Sequence, residues 1–392
     1  MSRVRISGRG RRRLEGGHPW IFADDVTATE AQPGDVVAIH APDERLLGHG
    51  LYSSESKIRV RLITRDEHAP DEAFWCGRLA RALAARRRMG LFDPAGACRV
   101  LAGDADGVPG LVIDHYAGVF VLQSGSQGSD RLRDVFVSAL LAQCGTPRAI
   151  VDRSDASVRR LEGLEKRMEV LRGELPEVLE VREDQLLYEV DVLHGHKTGH
   201  YLDQRVNRRR AADLTVGGDM LDAFSYDGLF GVRAALAGAR SVLCLDQSEA
   251  ALERARRNAE RNGVSGKLRC ERVDVMRDLR ARAESGARFA VVVVDPPAFA
   301  KNKAELAGAE RGYRELNARA LRLVEAGGHL VSASCSHAVR AEHFVQLLAQ
   351  AATLARRDVY LEDLLGASPD HSALMVLPES SYLKCAFMRV DD

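Results

Sequence analysis

The second half of the chain alternates between short apolar runs and longer amphipathic segments. From about residue 186 this alternation predicts strands separated by helices, which is typical of a parallel sheet covered by helices on both faces. The predicted strands are 220–223, 241–246, 267–273, 289–295 and 328–334. After a predicted helix at 340–354, strands at 357–365 and 380–390 follow without a full helix between them. We therefore expect an α/β, Rossmann-like sheet that is mostly parallel and has an antiparallel edge.

The first half of the chain has a different pattern. Along 58–62 apolar side chains alternate with arginines, which indicates a strand with one basic face. Several short strands with glycine turns predict a small β-barrel over residues 1–70. Residues 71–90 predict a helix, and 99–124 predict strands around a glycine-rich turn at 103–110.

A charged segment separates these two halves. A helix at 130–143 and a strand at 148–151 complete a predicted central α+β domain. Residues 154–185 are rich in charge, contain Pro176 and show no clear hydrophobic period, so we expect a domain boundary there. The predicted division is a small β-barrel over 1–70, a central α+β domain over 71–185 and the Rossmann-like domain over 186–392.

Composition narrows the class of protein. A length of 392 residues fits two or three domains, and 45% hydrophobic with 29% charged residues excludes a disordered chain. No apolar run approaches the roughly 20 residues that a membrane span needs, so we expect no membrane partner. The seven cysteines are odd in number and widely spaced, which argues against a disulfide framework and indicates a reducing cytoplasm.

The formal net charge is zero, but arginines cluster locally. Six lie within residues 1–13, four within 81–88 and four within 205–210. Phosphate binding depends on the local field, so these clusters could bind a nucleic acid. The alternative is that they are ordinary solvated faces.

Acidic side chains follow the predicted strands at the edge where open α/β sheets bind ligands. Asp222 begins a glycine-containing turn without the GxGxxG pattern, so a dinucleotide is not favoured. Asp246, at the end of the next strand, could accept both ribose hydroxyls, while Asp222 could hold a cationic amine. Asp274 and Val275 suit an adenine amino group and an apolar wall. Each acid could instead cap a helix, but together they favour S-adenosylmethionine.

A proline loop and a cysteine follow the last two parallel strands. Two prolines stiffen the loop 295–299, where Phe299 could stack on a planar base. The alternative is a rigid turn with an exposed Asp295. Cys335 is the one cysteine of seven that the pattern places at the carboxyl end of a strand beside the inferred pocket. We therefore interpret Cys335 as a candidate nucleophile.

The segment 197–208 precedes the first parallel strand and mixes lysine, glutamine and arginine. We interpret it as a loop that closes over the cofactor. His194, His196 and His200 lie beside it, but their spacing lacks the carboxylate or cysteine partner of a known metal site. We therefore expect no metal.

Taken together, these motifs resemble class I S-adenosylmethionine-dependent RNA methyltransferases. More narrowly, the chain resembles the 23S ribosomal RNA 5-methylcytosine methyltransferases that carry an N-terminal PUA domain. The resemblance spans essentially the whole chain. It rests on residues 8–11, 18–22, 103–114, 197–208, 222–231, 246, 295–299 and 334–336.

The resemblance implies binding partners and a set of site residues. It implies S-adenosylmethionine as cofactor, 23S ribosomal RNA as substrate, a PUA-like RNA-binding barrel, a cytoplasmic location and a possible homodimer. The expected cofactor contacts are Lys197, Tyr201, Gln204, Asp222, Phe224, Ser225, Tyr226, Gly228, Asp246, Gln247, Ser248, Asp274, Val275, Asp295 and Pro296. The expected substrate contacts are Arg205, Arg208, Pro297 and Phe299.

The implied mechanism is covalent. Cys335 adds to carbon 6 of cytosine, which activates carbon 5 for methylation. Asp295 either orients or protonates the ring at N3, or removes the carbon-5 proton, and the sequence leaves both roles open. A thiolate needs a cationic or dipolar neighbour, for which His337 is our candidate. The broader class has a second cysteine where this chain has Ala298, so a two-cysteine mechanism is not expected.

Two other functions fit the same sequence. A nitrogen methyltransferase acting on guanine in RNA would need no cysteine. An inactive methyltransferase fold that binds RNA as an assembly factor would need no cofactor. Nucleoside analysis of the product separates the first from C5 methylation, and calorimetry with S-adenosylmethionine separates the second.

Overall fold

The computed structural model describes residues 1–299 and 305–392. They form two compact units. The first unit comprises residues 1–182, 190–202 and 369–380, and the second comprises 183–189, 203–368 and 381–392. Because the first unit holds two separate sheets, the three-domain division of the chain stays a prediction.

The first sheet of the first unit has six strands in the order β2-β6-β5-β4-β1-β3. Its strands are β1 (Arg3–Ile6), β2 (Trp20–Phe22), β3 (Val26–Thr29), β4 (Val36–His40), β5 (Leu46–Tyr52) and β6 (Ile58–Thr64). Only β1 and β4 pair in parallel, and the other pairs are antiparallel. Alternating apolar positions place Val4, Ile21 and Val60 in its buried core.

One helix interrupts the region that the sequence predicts as all strand. Helix α1 (Gly8–Glu15) begins at Ser7, whose hydroxyl accepts the backbone N–H of Gly10, and it buries Leu14. The sequence pattern does not predict this helix, because Leu14 is its single large apolar residue among arginines and gives no helical period. Several of them pair with acids of the chain: Arg9 and Arg13 both bind the buried Asp25.

The second sheet of the first unit has five strands in the order β11-β10-β9-β8-β7. They are β7 (Ala97–Ala102), β8 (Leu111–Tyr116), β9 (Val119–Ser124), β10 (Ala149–Ser154) and β11 (Arg167–Gly173), and the helices are α2 (Glu72–Arg88), α3 (Gln127–Arg131) and α4 (Arg133–Cys144). Helices α2 and α4 supply Leu79 and Phe136 to its core. A separate hairpin, β12 (Leu179–Glu183) and β13 (Leu186–Val190), follows, so the charged stretch contains strands that its weak period hides.

The second unit contains the predicted Rossmann-like sheet, with seven strands in the order β16-β15-β14-β17-β18-β20-β19. The strands are β14 (Asp219–Ala223), β15 (Ser241–Asp246), β16 (Leu268–Arg272), β17 (Phe289–Val294), β18 (Val324–Ser334), β19 (Asp358–Leu365) and β20 (Lys384–Asp391). The first five run in parallel, whereas β20 is antiparallel to both of its neighbours. The predicted α/β fold and its antiparallel edge are confirmed.

Helices connect these strands and cover the sheet. They are α5 (Arg205–Leu214), α6 (Leu229–Ala237), α7 (Glu249–Arg261), α8 (Val275–Glu284), α9 (Leu306–Leu321) and α10 (Ala341–Ala355). Strand β17 is central, and its valines 291–294 are fully buried. Strand order reverses on either side of β14, which opens a crevice at the carboxyl ends of β14 and β17. Within the described residues, no helix is both long and apolar enough to cross a membrane.

Candidate active site

The loop after β14 has an unusual backbone. Phe224, Tyr226 and Gly228 all have positive φ, at 63°, 52° and 75°. The carboxylate of Asp246 stabilises this conformation by accepting the backbone N–H groups of Tyr226 and Ser248, both at 2.9 Å. A backbone so constrained is typical of a ligand-binding loop, because the surrounding contacts must hold it in place.

Glycine is required at the end of this loop. Gly228 begins helix α6 in the left-handed region, and a Cβ there would lie 2.7 Å from the Cβ of Ala255. Gly231, one turn later, lies against β15, where a Cβ would approach the Cys244 sulfur to 2.9 Å. The two glycines therefore serve close helix packing, while the backbone amide of Gly231 binds Asp222.

Asp222 is a buried carboxyl group at the carboxyl end of β14. Its Oδ2 accepts the Gly231 N–H at 3.1 Å, and its Oδ1 has no hydrogen-bond partner in the described part of the chain. The pKa of Asp222 is raised to about 8, mainly by burial and also by the nearby carboxylates of Asp295, Asp227 and Asp246, while the Gly231 N–H acts in the opposite direction. A buried polar atom without a partner is costly, so this oxygen fits a ligand that brings a donor.

The other acids predicted to bind cofactor also have structural duties. Asp274 is exposed and caps α8 by accepting the Arg277 N–H at 3.0 Å. Val275 is buried in the core, and Ser248 caps α7 while Gln247 is exposed beside it. The helix-cap alternative thus holds for Asp274, and the cofactor contacts of this group stay predictions.

The loop after β17 is fixed from two sides. Gln204 donates from Nε2 to Oδ2 of Asp295 at 2.9 Å, and Asn207 in turn donates to Gln204 at 2.6 Å. Pro296 is buried and Pro297 is exposed. Phe299 is half-buried, and its ring meets that of Tyr313 edge-to-face at 4.8 Å. The base-stacking role of Phe299 stays a prediction.

Cys335 follows β18 in a segment that one tyrosine holds. The hydroxyl of Tyr313, on α9, accepts a hydrogen bond from Ser334 Oγ at 2.8 Å and bonds Ser336 Oγ at 3.0 Å. Both serines and Tyr313 are buried, whereas Cys335 between them is half-buried. The thiol is therefore the accessible group of a segment anchored on both sides.

A lysine that the sequence analysis missed lies beside Cys335. In the antiparallel register Lys384 of β20 is opposite Ser334 of β18. Its Nζ donates to the carbonyl oxygens of Ser336 and Tyr382, both at 2.8 Å. Only strand pairing brings residues so distant in sequence together, and nothing in the local pattern near Lys384 indicated it.

His337 is a poorer cation than expected. Burial, and secondarily the Lys384 ammonium, lowers the pKa of His337, so its imidazole is neutral at neutral pH. Its ring lies 5.6 Å from that of Tyr382. The suggestion that His337 supplies a positive charge to Cys335 is therefore wrong.

Two arginines predicted to bind substrate point elsewhere. Arg205 and Arg208, on α5, are buried and pair with the buried Glu183 at 3.4 and 2.7 Å. Burial raises the pKa of Glu183, but the neighbouring guanidinium groups outweigh it and lower that pKa overall. Because these guanidinium groups are not presented to RNA phosphates, we remove Arg205 and Arg208 from the expected substrate contacts.

Two residues predicted to contact the cofactor, Lys197 and Tyr201, lie in the first unit. The Lys197 amine lies 4.5 Å from the centre of the Tyr201 ring. The Tyr201 hydroxyl lies 2.9 Å from Nδ1 of His196. Their part in cofactor binding stays a prediction.

The sheet topology, the constrained loop and the buried carboxyl group define the class as an S-adenosylmethionine-dependent methyltransferase. The family model of that name matches residues 156–371, and a PUA-like domain model matches residues 4–65. Two curated relatives carry the name ribosomal RNA large subunit methyltransferase I. The one from Shewanella denitrificans is 39% identical over 99% of both chains, and that from Shewanella amazonensis is 40% identical over 99% of both. The chain belongs to the ribosomal RNA large subunit methyltransferase I family.

Solved structures share the fold. A candidate methyltransferase solved with SAH has a TM-score of 0.86 and 19% identity, covering 99% of this chain and 100% of the other. A candidate enzyme of the same class from Streptococcus mutans has a TM-score of 0.85, also at 19% identity, with the same coverage. The predicted family, enzyme class and cofactor, S-adenosylmethionine, are confirmed.

Proposed function

We propose that this enzyme methylates carbon 5 of a cytosine in 23S ribosomal RNA, with Cys335 as nucleophile. The observation that carries the proposal is the half-buried Cys335 at the carboxyl end of β18, held between two anchored serines. Cys385 lies near the same edge but is fully buried, so it does not compete. The names of the relatives support large-subunit ribosomal RNA as the substrate.

The chemistry explains why a thiol is needed. Carbon 5 of cytosine is a weak nucleophile, and S-adenosylmethionine supplies an electrophilic methyl group when bound. The Cys335 thiolate adds to carbon 6 and a proton is added at N3, which makes carbon 5 nucleophilic. After carbon 5 has taken the methyl group, a base removes its proton, the carbon–sulfur bond breaks, the thiolate leaves and the N3 proton is lost.

Asp295 is the residue we place nearest to the pyrimidine. Its Oδ2 is held by Gln204, which fixes the carboxyl group at the carboxyl end of β17. Either role left open by the sequence, at N3 or at the carbon-5 proton, is compatible with that position. Pro296 and Pro297 keep the loop rigid around it.

The cofactor would occupy the crevice beside β14. The Oδ1 of Asp222, which has no hydrogen-bond partner among the described residues, fits the cationic amine of the methionine part. Asp246 would accept the ribose hydroxyls with its remaining lone pairs, since its two oxygens each accept one backbone N–H. Phe224, Ser225, Tyr226, Gly228 and Gln204 are the neighbouring residues that we keep in the proposed contact set.

The test is the variant Cys335→Ala. We expect transfer of a labelled methyl group to unmodified 23S ribosomal RNA to fall by roughly 1,000-fold or more, because the covalent step is lost. Affinity for S-adenosylmethionine, measured by calorimetry, should be unchanged. Cys270→Ala, at a half-buried cysteine within β16, is the matched control and should keep full activity.

A substrate analogue tests the adduct directly. RNA that contains 5-fluorocytosine should trap a covalent complex with the unaltered enzyme but not with Cys335→Ala, since fluorine cannot be removed as a proton. Full activity of Cys335→Ala would exclude the covalent mechanism. Mass spectrometry of the product nucleosides would then identify guanine methylation if that is the reaction.

RNA binding, location and assembly complete the proposal. We assign RNA binding to the PUA-like domain over residues 4–65. A cytoplasmic location and a homodimer stay expectations from the resemblance.

A further inference from the structure

Lys384 is a buried ammonium group without a carboxylate partner in the described part of the chain. Its side chain is 6% exposed, and its two hydrogen bonds go to the neutral carbonyl groups of Ser336 and Tyr382. Burying an unpaired charge costs several kcal/mol. Such a group is expected where an anion forms during function.

The geometry places this ammonium next to the candidate nucleophile. Lys384 is opposite Ser334 in the strand register and donates to the carbonyl of Ser336, so it binds both sides of the segment that contains Cys335. An ammonium has three N–H donors, and two of them are used by these carbonyl groups. No described residue accepts the third, which can therefore reach an anion at Cys335.

We propose that Lys384 is the positioning residue that keeps Cys335 in its thiolate form. The inference rests on the proposed function of Cys335. The thiol gives its proton to solvent and the ammonium stays charged, so the step needs no other reactant. Lys384 then stabilises the thiolate before attack and again when the thiolate leaves carbon 6.

Among the described residues, the other groups that the structure places around Cys335 do not provide this charge. Burial raises the pKa of Tyr313, which is therefore a neutral hydroxyl that binds two serines. The imidazole of His337 is neutral, as described above. Asp295 interacts with Tyr313 and lies on the β17 side of the site, where its negative charge opposes thiolate formation. The hydroxyl of Tyr382 binds Asp203.

Lys384 itself is charged at neutral pH. Burial lowers its pKa to about 8, and the neighbouring Cys335 thiolate acts in the opposite direction. The ammonium therefore persists below pH 8 and is lost as the pH rises above it. The ammonium is therefore charged at neutral pH, where a thiol with an ordinary pKa of about 8.5 is mostly protonated and needs a cation to stabilise its thiolate form.

Alkylation of Cys335 by iodoacetamide tests the proposal without methyl transfer. The rate is measured from pH 5.5 to 9.5 on the peptide that contains Cys335, so the other six cysteines do not interfere. In Lys384→Met we expect the apparent pKa of Cys335 to rise and alkylation at pH 7 to slow by about tenfold or more. Lys384→Arg should restore most of the rate, because it keeps the charge.

Lys384→Gln controls for structure. It keeps a donor for the carbonyl groups but has no charge, so it should behave like Lys384→Met if charge matters. Unchanged alkylation profiles in a Lys384→Gln protein with normal melting temperature and cofactor affinity would overturn the proposal. If Lys384→Met does not fold, Lys384→Gln alone decides.

The two proposals fail in different experiments. Retained methyl transfer in Cys335→Ala would overturn the proposed covalent function while leaving the alkylation result intact. An inactive Cys335→Ala together with unchanged alkylation in Lys384→Gln would overturn only the role of Lys384. Methyl transfer by Lys384→Gln should also recover towards pH 9, where even an unassisted thiol ionises.

Discussion

Asp222 is subject to two opposing effects at the scale of a single residue. Burial favours its neutral form, with a pKa raised to about 8, while the Gly231 N–H favours the carboxylate. A cationic ligand at Oδ1 would shift the balance to the carboxylate, because it removes the cost of a buried negative charge. Proton release on binding is therefore a direct measure of whether the cofactor amine contacts this residue.

We expect S-adenosylmethionine binding at pH 7 to release close to one proton. With a pKa of about 8, roughly nine in ten Asp222 side chains are protonated before binding. Calorimetry in phosphate and in Tris should give different binding enthalpies, and the difference should vanish in Asp222→Asn. Equal enthalpies in both buffers for the unaltered protein would show that the amine binds elsewhere.

The same shift affects stability. Because the folded-state pKa is raised above the ordinary carboxyl value, the folded state retains a proton between about pH 4 and 8 that the unfolded chain loses. The stabilising contribution of this proton to folding is fully present below about pH 4 and is lost as the pH rises from there through 8. In the cofactor-free protein we expect melting temperatures of Asp222→Asn to fall less over this range than those of the unaltered protein. If the melting temperatures of the two proteins fall by the same amount between pH 4 and 8, this expectation is contradicted.

Individual elements show which features a sequence encodes locally. The strands β14 to β17 and the acids at their ends were found because an apolar run and a following polar residue are neighbours in the chain. Helix α1 was missed because its one fully buried apolar side chain, Leu14, gives no period among arginines. The pairing of Lys384 with Ser334 depends on register between distant strands, which no local pattern contains.

Tyr313 connects helix α9 to the segment that contains Cys335. Replacing it therefore tests whether this helix positions that segment. We expect Tyr313→Phe to leave the Ser334 and Ser336 hydroxyls without their shared partner, at a cost of about 1–3 kcal/mol in stability. The turnover number should fall because the thiol is less well placed, while cofactor affinity should not change. Thermal melting and steady-state kinetics measure the two effects.

Tyr360→Phe is the control for this substitution, since Tyr360 on β19 is about half exposed. It should change neither melting temperature nor turnover. If Tyr313→Phe behaves in the same way, the hydroxyl is not what holds the Cys335 segment.

At the scale of the whole molecule, arginines that are neighbours in the sequence do not all face solvent. The three arginine clusters suggested three phosphate-binding surfaces, but each cluster includes arginines that bind acids of the chain. Arg86 is buried and binds both oxygens of Asp106 at 2.7 and 2.8 Å, and Arg208 binds Glu183. A cluster in the sequence therefore mixes structural arginines with exposed ones, and only burial separates them.

This mixture on helix α2 gives a matched comparison for RNA binding. Arg81 and Arg88 are exposed on the helix that buries Arg86. If this surface contacts RNA phosphates, replacing Arg81 and Arg88 together by alanine should reduce the slope of log affinity against log salt by roughly 1.5 and leave stability unchanged. Arg86→Ala should instead destabilise the first unit by about 3 kcal/mol or more, because Asp106 loses its partner, and should leave the slope intact.

Fluorescence anisotropy with a 23S ribosomal RNA fragment from 50 to 300 mM KCl measures the slope. An unchanged slope in the double variant would place the RNA contacts elsewhere, because exposed arginines that meet phosphates must release counterions on binding.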